Sequence, residues 1–407
     1  MTLAHSRRKG AAPTAARTDS MFSIQTFNNI AVAGLARFPE ERYDVGPDAA
    51  EPDAILVRSA DLHGFELPAS LKAVGRAGSG TNNIPVAALT ARGIPVFNAP
   101  GANANAVKEL VVAGILIAAR NLTAAWDFAR TADADIESAK KRFAGFELPG
   151  RTLGVIGLGA IGVEVCNAAH ALGMRVIGFD PKLTVQRAWQ LSASVEQARS
   201  LEELLGRCDF VSVHVPLTDQ TRDLLDAPRL AYLRRGAVVL NMARGGIVNT
   251  EAVLDALASG RVHAYVTDFP DARFSGHAGI IAFPHLGAST LEAEENCAVQ
   301  VADTVREFLE HGVLRHSVNF PDADLAAVTD GWRIAIANAN VPNMVGQITA
   351  TLGSSGLNII DMLNRSRGDV AWTVVDLDSE VDAQTLAAIH TINGVLSARV
   401  IGPGDSS

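Results

Sequence analysis

The chain has 407 residues, with 35 lysines and arginines against 44 aspartates and glutamates, and a formal charge of −9. This acidic balance without a long basic run excludes a general polyanion binder, because nonspecific nucleic-acid affinity comes from neutralised phosphates. Apolar residues at 48% and charged residues at only 19% supply large cores and exclude an acidic disordered chain, and the length suits two or three domains.

Residues 1–20 carry Arg7, Arg8, Lys9 and Arg17 against Asp19, with no apolar core of the kind a secretory signal needs. They are read as a disordered leader or as text upstream of a true start at Met21, which opens the first strand-like text, with a transit peptide as a weaker third reading, and the expected location is cytoplasmic. Next come AILVR at 54–58 and the run Lys72–Arg76 entering AGSGTNN, both strands whose C-terminal ends should face a cleft. GIPVFNAPGANANAV then gives a strand, a loop of small residues and a helix over 105–120 that is apolar on several faces and so expected to be buried. Its core, Leu110–Ala119, is the longest strongly apolar run and falls far short of the roughly 20 residues that span a bilayer, so no membrane segment is expected.

Pro149 and Gly150 close a more polar stretch. Beyond them LGVIGLGAIG, RVIGFD, FVSVHVPL, AVVLNMARG and HAYVTDFP alternate with helical text such as SLEELLGR and TEAVLDALASG. Strands that are nearly all Val, Ile and Leu, alternating with helices, predict a doubly wound parallel sheet covered on both faces. A helix follows over 289–310 and closes at Gly312. VNFPDADLAAVTDG reads as a linker, and from Trp332 the order strand, helix, strand, strand, helix, strand predicts a split βαβ unit. Cys166, Cys208 and Cys297 are odd in number and lack any ligand spacing, so they predict neither disulfides nor a metal site.

Gly157, Gly159 and Gly162 in GLGAIG sit between a strand and the helix running through Val163 to Leu172, a context far more specific than the glycines alone. The first permits a tight turn, the second lets backbone approach a pyrophosphate, and the third permits close helix packing, with the anion at the helix N-terminus. Asp180 follows 18 residues after Gly162 at the next strand end, where a carboxylate would accept from an adenosine ribose and repel a 2′-phosphate. NAD is therefore the expected cofactor. Arg244 in NMARGG stands at another strand end, among small residues, where a guanidinium could hold a substrate carboxylate. His285 in FPHLGAST stands at the next, as a proton donor and acceptor for a hydroxyl oxidised near neutral pH.

Taken in order, VRSA at 57–60, RAGSGTNNIP at 76–85, NAPGANANAVKEL at 98–110, GLGAIG, NMARGG and PHLGAST resemble the D-isomer-specific 2-hydroxyacid dehydrogenases, in the branch that acts on 3-phospho-D-glycerate and carries a C-terminal ACT domain. The resemblance covers 21–403. It implies a flavodoxin-like substrate domain from 21–118 and 290–320, with a Rossmann-type NAD-binding domain at 119–289 inserted into it. An ACT regulatory domain of βαββαβ order would occupy 330–403.

By position, Arg244 would bind the substrate carboxylate, His285 would take the C2 hydroxyl proton, and Asp268 would lie by the nicotinamide carboxamide. Ser79, Ala160, Ile161, Val215, Met242, Ala243 and Leu286 would line the cofactor. Arg58, Ser59, Arg76 and Asn103 would face the substrate, and paired arginines suit a phosphorylated 2-hydroxy acid. Asn340 and Asn358 match positions that hold L-serine as an effector, although Asn343 and Asn338 replace a usual glycine and histidine there. A homo-oligomer is implied, dimeric through the nucleotide domain and tetrameric through paired ACT units.

One departure stands out. A glutamate that usually hydrogen-bonds the histidine is absent from TDFPDARFSG, where Arg273 falls near its place. Asp268, or else Asp271, is the candidate substitute. Two other readings remain open: a dehydrogenase for another D-2-hydroxy acid, and a non-catalytic NAD sensor on the same scaffold.

Overall fold

Near-continuous apolar runs become buried parallel strands in two sheets. The computed structural model describes residues 21–131, 136–326 and 331–403; the expected leader at 1–20 lies outside them. The first sheet contains β1 (Phe22–Phe27), β2 (Tyr43–Gly46), β3 (Ala54–Val57), β4 (Ala73–Arg76) and β5 (Val96–Phe97). All pair in parallel in the order β2-β1-β3-β4-β5, the flavodoxin-like winding. A helix from far along the chain, Leu291–His311, covers one face. Gly75 lets it lie close: a Cβ there would stand 2.9 Å from methyls of both Val301 and Val305. Thr290 caps the helix by accepting from the Ala293 N–H, and Gly312, in left-handed conformation, ends it.

The second sheet holds β6 (Thr152–Ile156), β7 (Arg175–Phe179), β8 (Glu196–Gln197), β9 (Phe210–Val213), β10 (Ala237–Asn241), β11 (Val262–Thr267) and β12 (Ile280–Ala282). Its order, β12-β11-β10-β9-β6-β7-β8, is parallel throughout and matches the Rossmann winding with one strand added. β6, β9 and β10 are buried along their whole length, which explains their lack of polar alternation. The helix Ala104–Ala119, read from sequence as the end of the first unit, packs with the second. Val107, Val111 and Ile115 join Val155, Leu240 and Val266 in one core, and Gly114 brings the helix against Val266 and Leu240. Among the described residues no single helix is long and apolar enough to cross a membrane.

The third unit is antiparallel: β13 (Trp332–Ala339), β14 (Ile359–Arg367), β15 (Val370–Leu377) and β16 (Val395–Ile401), in the order β14-β15-β13-β16. Helices Met344–Ser354 and Ala383–His390 complete the βαββαβ order. Ile334, Ile336 and Val375 face these helices. The alternate residues Ala335, Ala337, Trp372 and Val374 enter the core of the first unit, as the two-residue period of a strand requires. Trp372 packs against Phe308 and Phe320, and its indole N–H donates to the Gly312 carbonyl at 3.2 Å. Arg333 and Asp376, both almost fully buried, form a two-pronged ion pair at 2.6 and 2.9 Å. Arg333 also donates to the His311 carbonyl at 2.8 Å, stitching the third unit to the helix end.

Candidate active site

The C-terminal ends of both parallel sheets point into one cleft, where open α/β sheets bind ligands. At the end of β6, Gly157 adopts φ +92°, and its turn leads into the helix Ala160–Ala171. A Cβ on Gly162 would stand 1.9 Å from the Gly157 carbonyl oxygen, so only glycine fits. A Cβ on Gly159 would meet nothing within 4 Å, which leaves open space at the helix N-terminus for a pyrophosphate. At the end of β7 the Asp180 carboxylate accepts from the Leu158 and Lys182 backbone N–H groups, both at 2.8 Å, and so ties the glycine turn to the next strand. These features fit a dinucleotide. Ala160 and Ile161 open the helix, Val215 closes over Gly157, and Met242 and Ala243 follow β10.

Behind the turn lies a residue that the sequence reading passed over. His214 follows β9, and a Cβ on Gly157 would come within 2.9 Å of its backbone. The ring Nε2 shares a 2.8 Å hydrogen bond with Ser212 Oγ, while the buried Nδ1 has no partner. Burial lowers its pKa to about 4.

Asp268, at the end of β11, is wholly buried. Its Oδ2 accepts from the Gly287 N–H at 2.9 Å, and its Oδ1 has no partner. Burial raises its pKa, opposed by the Gly287 hydrogen bond and then by the charges of His285 and Arg244, which places all three groups together. His285 is exposed after β12, with Phe269 packed on its ring at 4.7 Å. Phe269 also backs Gly245, beside Arg244. Its position directly after the strand-end aspartate was the available signal for it. Leu286 is 43% exposed at the cleft edge.

Asp271, the alternative partner for His285, is paired with a cation in its own loop. Its carboxylate is taken by Arg273 at 2.5 and 2.9 Å, and these hydrogen bonds hold its pKa down at about 2. The loop is short enough that aspartate and arginine two residues apart close on each other.

Across the cleft, Arg244 Nη2 lies 2.7 Å from where a Cβ on Gly80 would sit, so the glycine-rich loop after β4 meets the arginine directly. Burial and then the charges of Arg244 and Arg58 lower the Arg76 pKa, so three guanidinium groups share one neighbourhood. Arg76 Nε donates to the Arg58 carbonyl at 3.0 Å, and Arg58 pairs with Glu294. Ser79 Oγ donates to Asn103 Oδ1 at 3.1 Å and to the Ala99 carbonyl. The Ser59 N–H donates to Asn28 Oδ1 at 3.2 Å. In the third unit the two expected effector residues lie apart: Asn340 donates to the Gly368 carbonyl beyond one end of β14, and Asn358 precedes its other end.

A Rossmann sheet facing a second α/β unit, with a histidine and three arginines between them, defines a dinucleotide-dependent oxidoreductase for an anionic substrate. Residues 112–287 match the family described as D-isomer specific 2-hydroxyacid dehydrogenase, NAD binding domain. The chain is 33% identical over 351 residues to D-3-phosphoglycerate dehydrogenase of Haemophilus influenzae, covering 83% of each chain. It is 39% identical over 386 residues to the enzyme of that name from Mycobacterium tuberculosis (strain H37Rv), covering 88% of this chain and 71% of the relative. Among solved structures, NAD+-bound 3-phosphoglycerate dehydrogenase of Entamoeba histolytica shares the fold, with a TM-score of 0.60 and 23% identity over 74% of this chain and 99% of that one. The chain belongs to the D-isomer-specific 2-hydroxyacid dehydrogenases, a family of NAD-dependent oxidoreductases.

Proposed function

We propose that this protein oxidises 3-phospho-D-glycerate to 3-phosphohydroxypyruvate with NAD. The observation that carries the reading is the convergence of Arg58, Arg76 and Arg244 at strand ends beside His285. A carboxylate and a phosphate on one small substrate need several charge-assisted donors, and an unphosphorylated hydroxy acid does not. When bound, NAD supplies the hydride acceptor. Gly157, Gly159, Gly162, Ala160 and Ile161 would hold its pyrophosphate and Asp180 its ribose. The free Oδ1 of Asp268 would accept from the carboxamide, while Ser79, Val215, Met242, Ala243 and Leu286 line the rest.

Arg244 orients the substrate carboxylate and His285 removes the C2 hydroxyl proton, the general-base step. Arg58 and Arg76 hold the phosphate, with Ser59 and Asn103 in the flanking loops. Asp268, which lies within charge range of His285, is the carboxylate we assign as its positioning group. We assign 330–403 as an ACT module that binds L-serine between copies of a homo-oligomer. The three cysteines, all free and buried, suit a reducing cytoplasm.

The test is NADH absorbance at mildly alkaline pH with 3-phosphoglycerate, D-lactate and 2-hydroxyglutarate as separate substrates. Phosphoglycerate turnover that is lost in Arg244→Ala supports the reading. Turnover of another hydroxy acid instead reassigns the substrate, and NAD binding without any turnover makes the chain a sensor. L-serine that gives neither calorimetric heat nor inhibition removes the effector assignment.

A further inference from the structure

We propose that Glu294 is an internal counterion that competes with the substrate phosphate for Arg58, and so sets how strongly the site discriminates phosphorylated from unphosphorylated 2-hydroxy acids. This inference deepens the dehydrogenase reading above and rests on it. Arg58 stands at the end of β3, and Glu294 lies in the first turn of the helix Leu291–His311, just after the His285 loop. Their ion pair lies at the cleft, with side chains 37% and 34% exposed, so an incoming anion can reach it.

The other two arginines differ. Among the described residues neither Arg76 nor Arg244 has a carboxylate within 4.0 Å, and Arg76 hydrogen-bonds only a backbone carbonyl, that of Arg58. Among the described residues, the cluster of three guanidinium groups thus carries one direct ion pair, placed on one arm alone. The Glu294 backbone is fixed, its N–H donating to the Thr290 carbonyl at 3.1 Å, so the side chain is the part free to yield.

A half-exposed ion pair is weak enough for a phosphate dianion to displace. The displaced carboxylate nevertheless stays on the same helical turn and repels that dianion. An unphosphorylated acid held by Arg244 leaves the Arg58–Glu294 pair intact. Glu294 therefore raises the KM of phosphorylated substrates selectively.

The experiment compares wild type with Glu294→Gln, each alone and combined with Arg58→Gln. In Glu294→Gln we expect the KM for 3-phosphoglycerate and the Ki for inorganic phosphate to fall together, roughly three- to tenfold. The ratio of kcat/KM for phosphorylated over unphosphorylated substrate rises by the same factor. In the Arg58→Gln background the substitution should change neither constant. If the wild type turns over no phosphoglycerate, the function above fails, but direct calorimetry with inorganic phosphate still decides this proposal. Tighter phosphate binding by Glu294→Gln supports it. Equal binding by both proteins, binding by neither, or weaker binding by the variant overturns it, and the last result would make Glu294 a support that aims Arg58 at the substrate.

Discussion

His214 offers the clearest link between a buried side chain and the working pH of the cofactor site. Its ring Nε2 shares a hydrogen bond with Ser212, its Nδ1 is buried without a partner, and its pKa is lowered to about 4 from 6.5 by burial. As the pH falls below 6.5 the unfolded chain takes up a proton that the folded chain refuses until about pH 4. The folded state therefore loses stability across that window and loses no more from this group below it. A gap of about 2.5 units at about 1.36 kcal/mol each sets an upper bound of roughly 3 to 4 kcal/mol. His214 backs Gly157, so the group responsible stands beside the glycine turn.

The perturbation is His214→Asn, and the readout is the pH dependence of urea midpoints between pH 4.5 and 7.5, followed by loss of NADH binding. A local signal is preferable because a chain with three packed units need not unfold in one step. The variant can be weaker at every pH; the expected result is a shallower fall in stability toward pH 4.5, by about one proton. A His214 NMR resonance that titrates near pH 6.5, or a variant whose slope equals that of wild type, refutes the reasoning.

Three further outcomes are expected. Gly162→Ala places a methyl 1.9 Å from the Gly157 carbonyl and should weaken NAD binding by on the order of tenfold or more in a fluorescence titration, with the far-UV spectrum kept. Asp271→Asn should leave turnover within about twofold because Arg273 already occupies that carboxylate, whereas Asp268→Asn should lower kcat by roughly tenfold or more; the reverse ranking would return Asp271 to the role of partner. Trp372→Ala should cost about 3–5 kcal/mol by opening a cavity against Phe308 and Phe320, and Arg333→Met a similar amount by stranding buried Asp376, both read as lowered thermal midpoints.

Both sheets, the cofactor turn and the strand-end placement of Arg244 and His285 were legible because each depends on local chemistry. Runs such as AVVLN have no polar alternation and read directly as doubly covered strands. The allegiance of the helix Ala104–Ala119 was not legible, since a helix apolar on several faces suits either sheet and only the position of Gly114 against Val266 decides. The partner of Asp271 was hidden for a similar reason: TDFPDARFSG offers two carboxylates and one nearby cation, and only the fold of the turn shows that Arg273 closes on Asp271. Docking of the third unit had a signal that went unused. VAWTVVDL is buried at seven of its eight positions, unlike IIDMLNRSR beside it, which is what a strand covered on both faces looks like.

That docking also constrains how the third unit meets other molecules. Its helices cover one face of the sheet and Phe97, Phe308 and Phe320 cover the other, so neither face is open for pairing. Arg333 and Trp372 further bind β13 and β15 to the helix end at 311–312. Two strands stand at the edges, β14 and β16; Ser397 of β16 donates to the Gly93 carbonyl of the first unit, whereas β14 is exposed from Arg365 to Arg367. Asn340 sits beyond one end of this edge and Asn358 before the other, separated by nine strand residues, or about 30 Å at roughly 3.3 Å each. No single small amino acid can touch both amides within one chain. Two copies running antiparallel along β14 would bring Asn358 of each against Asn340 of the other. On the effector reading proposed above, effector binding and association would be one event.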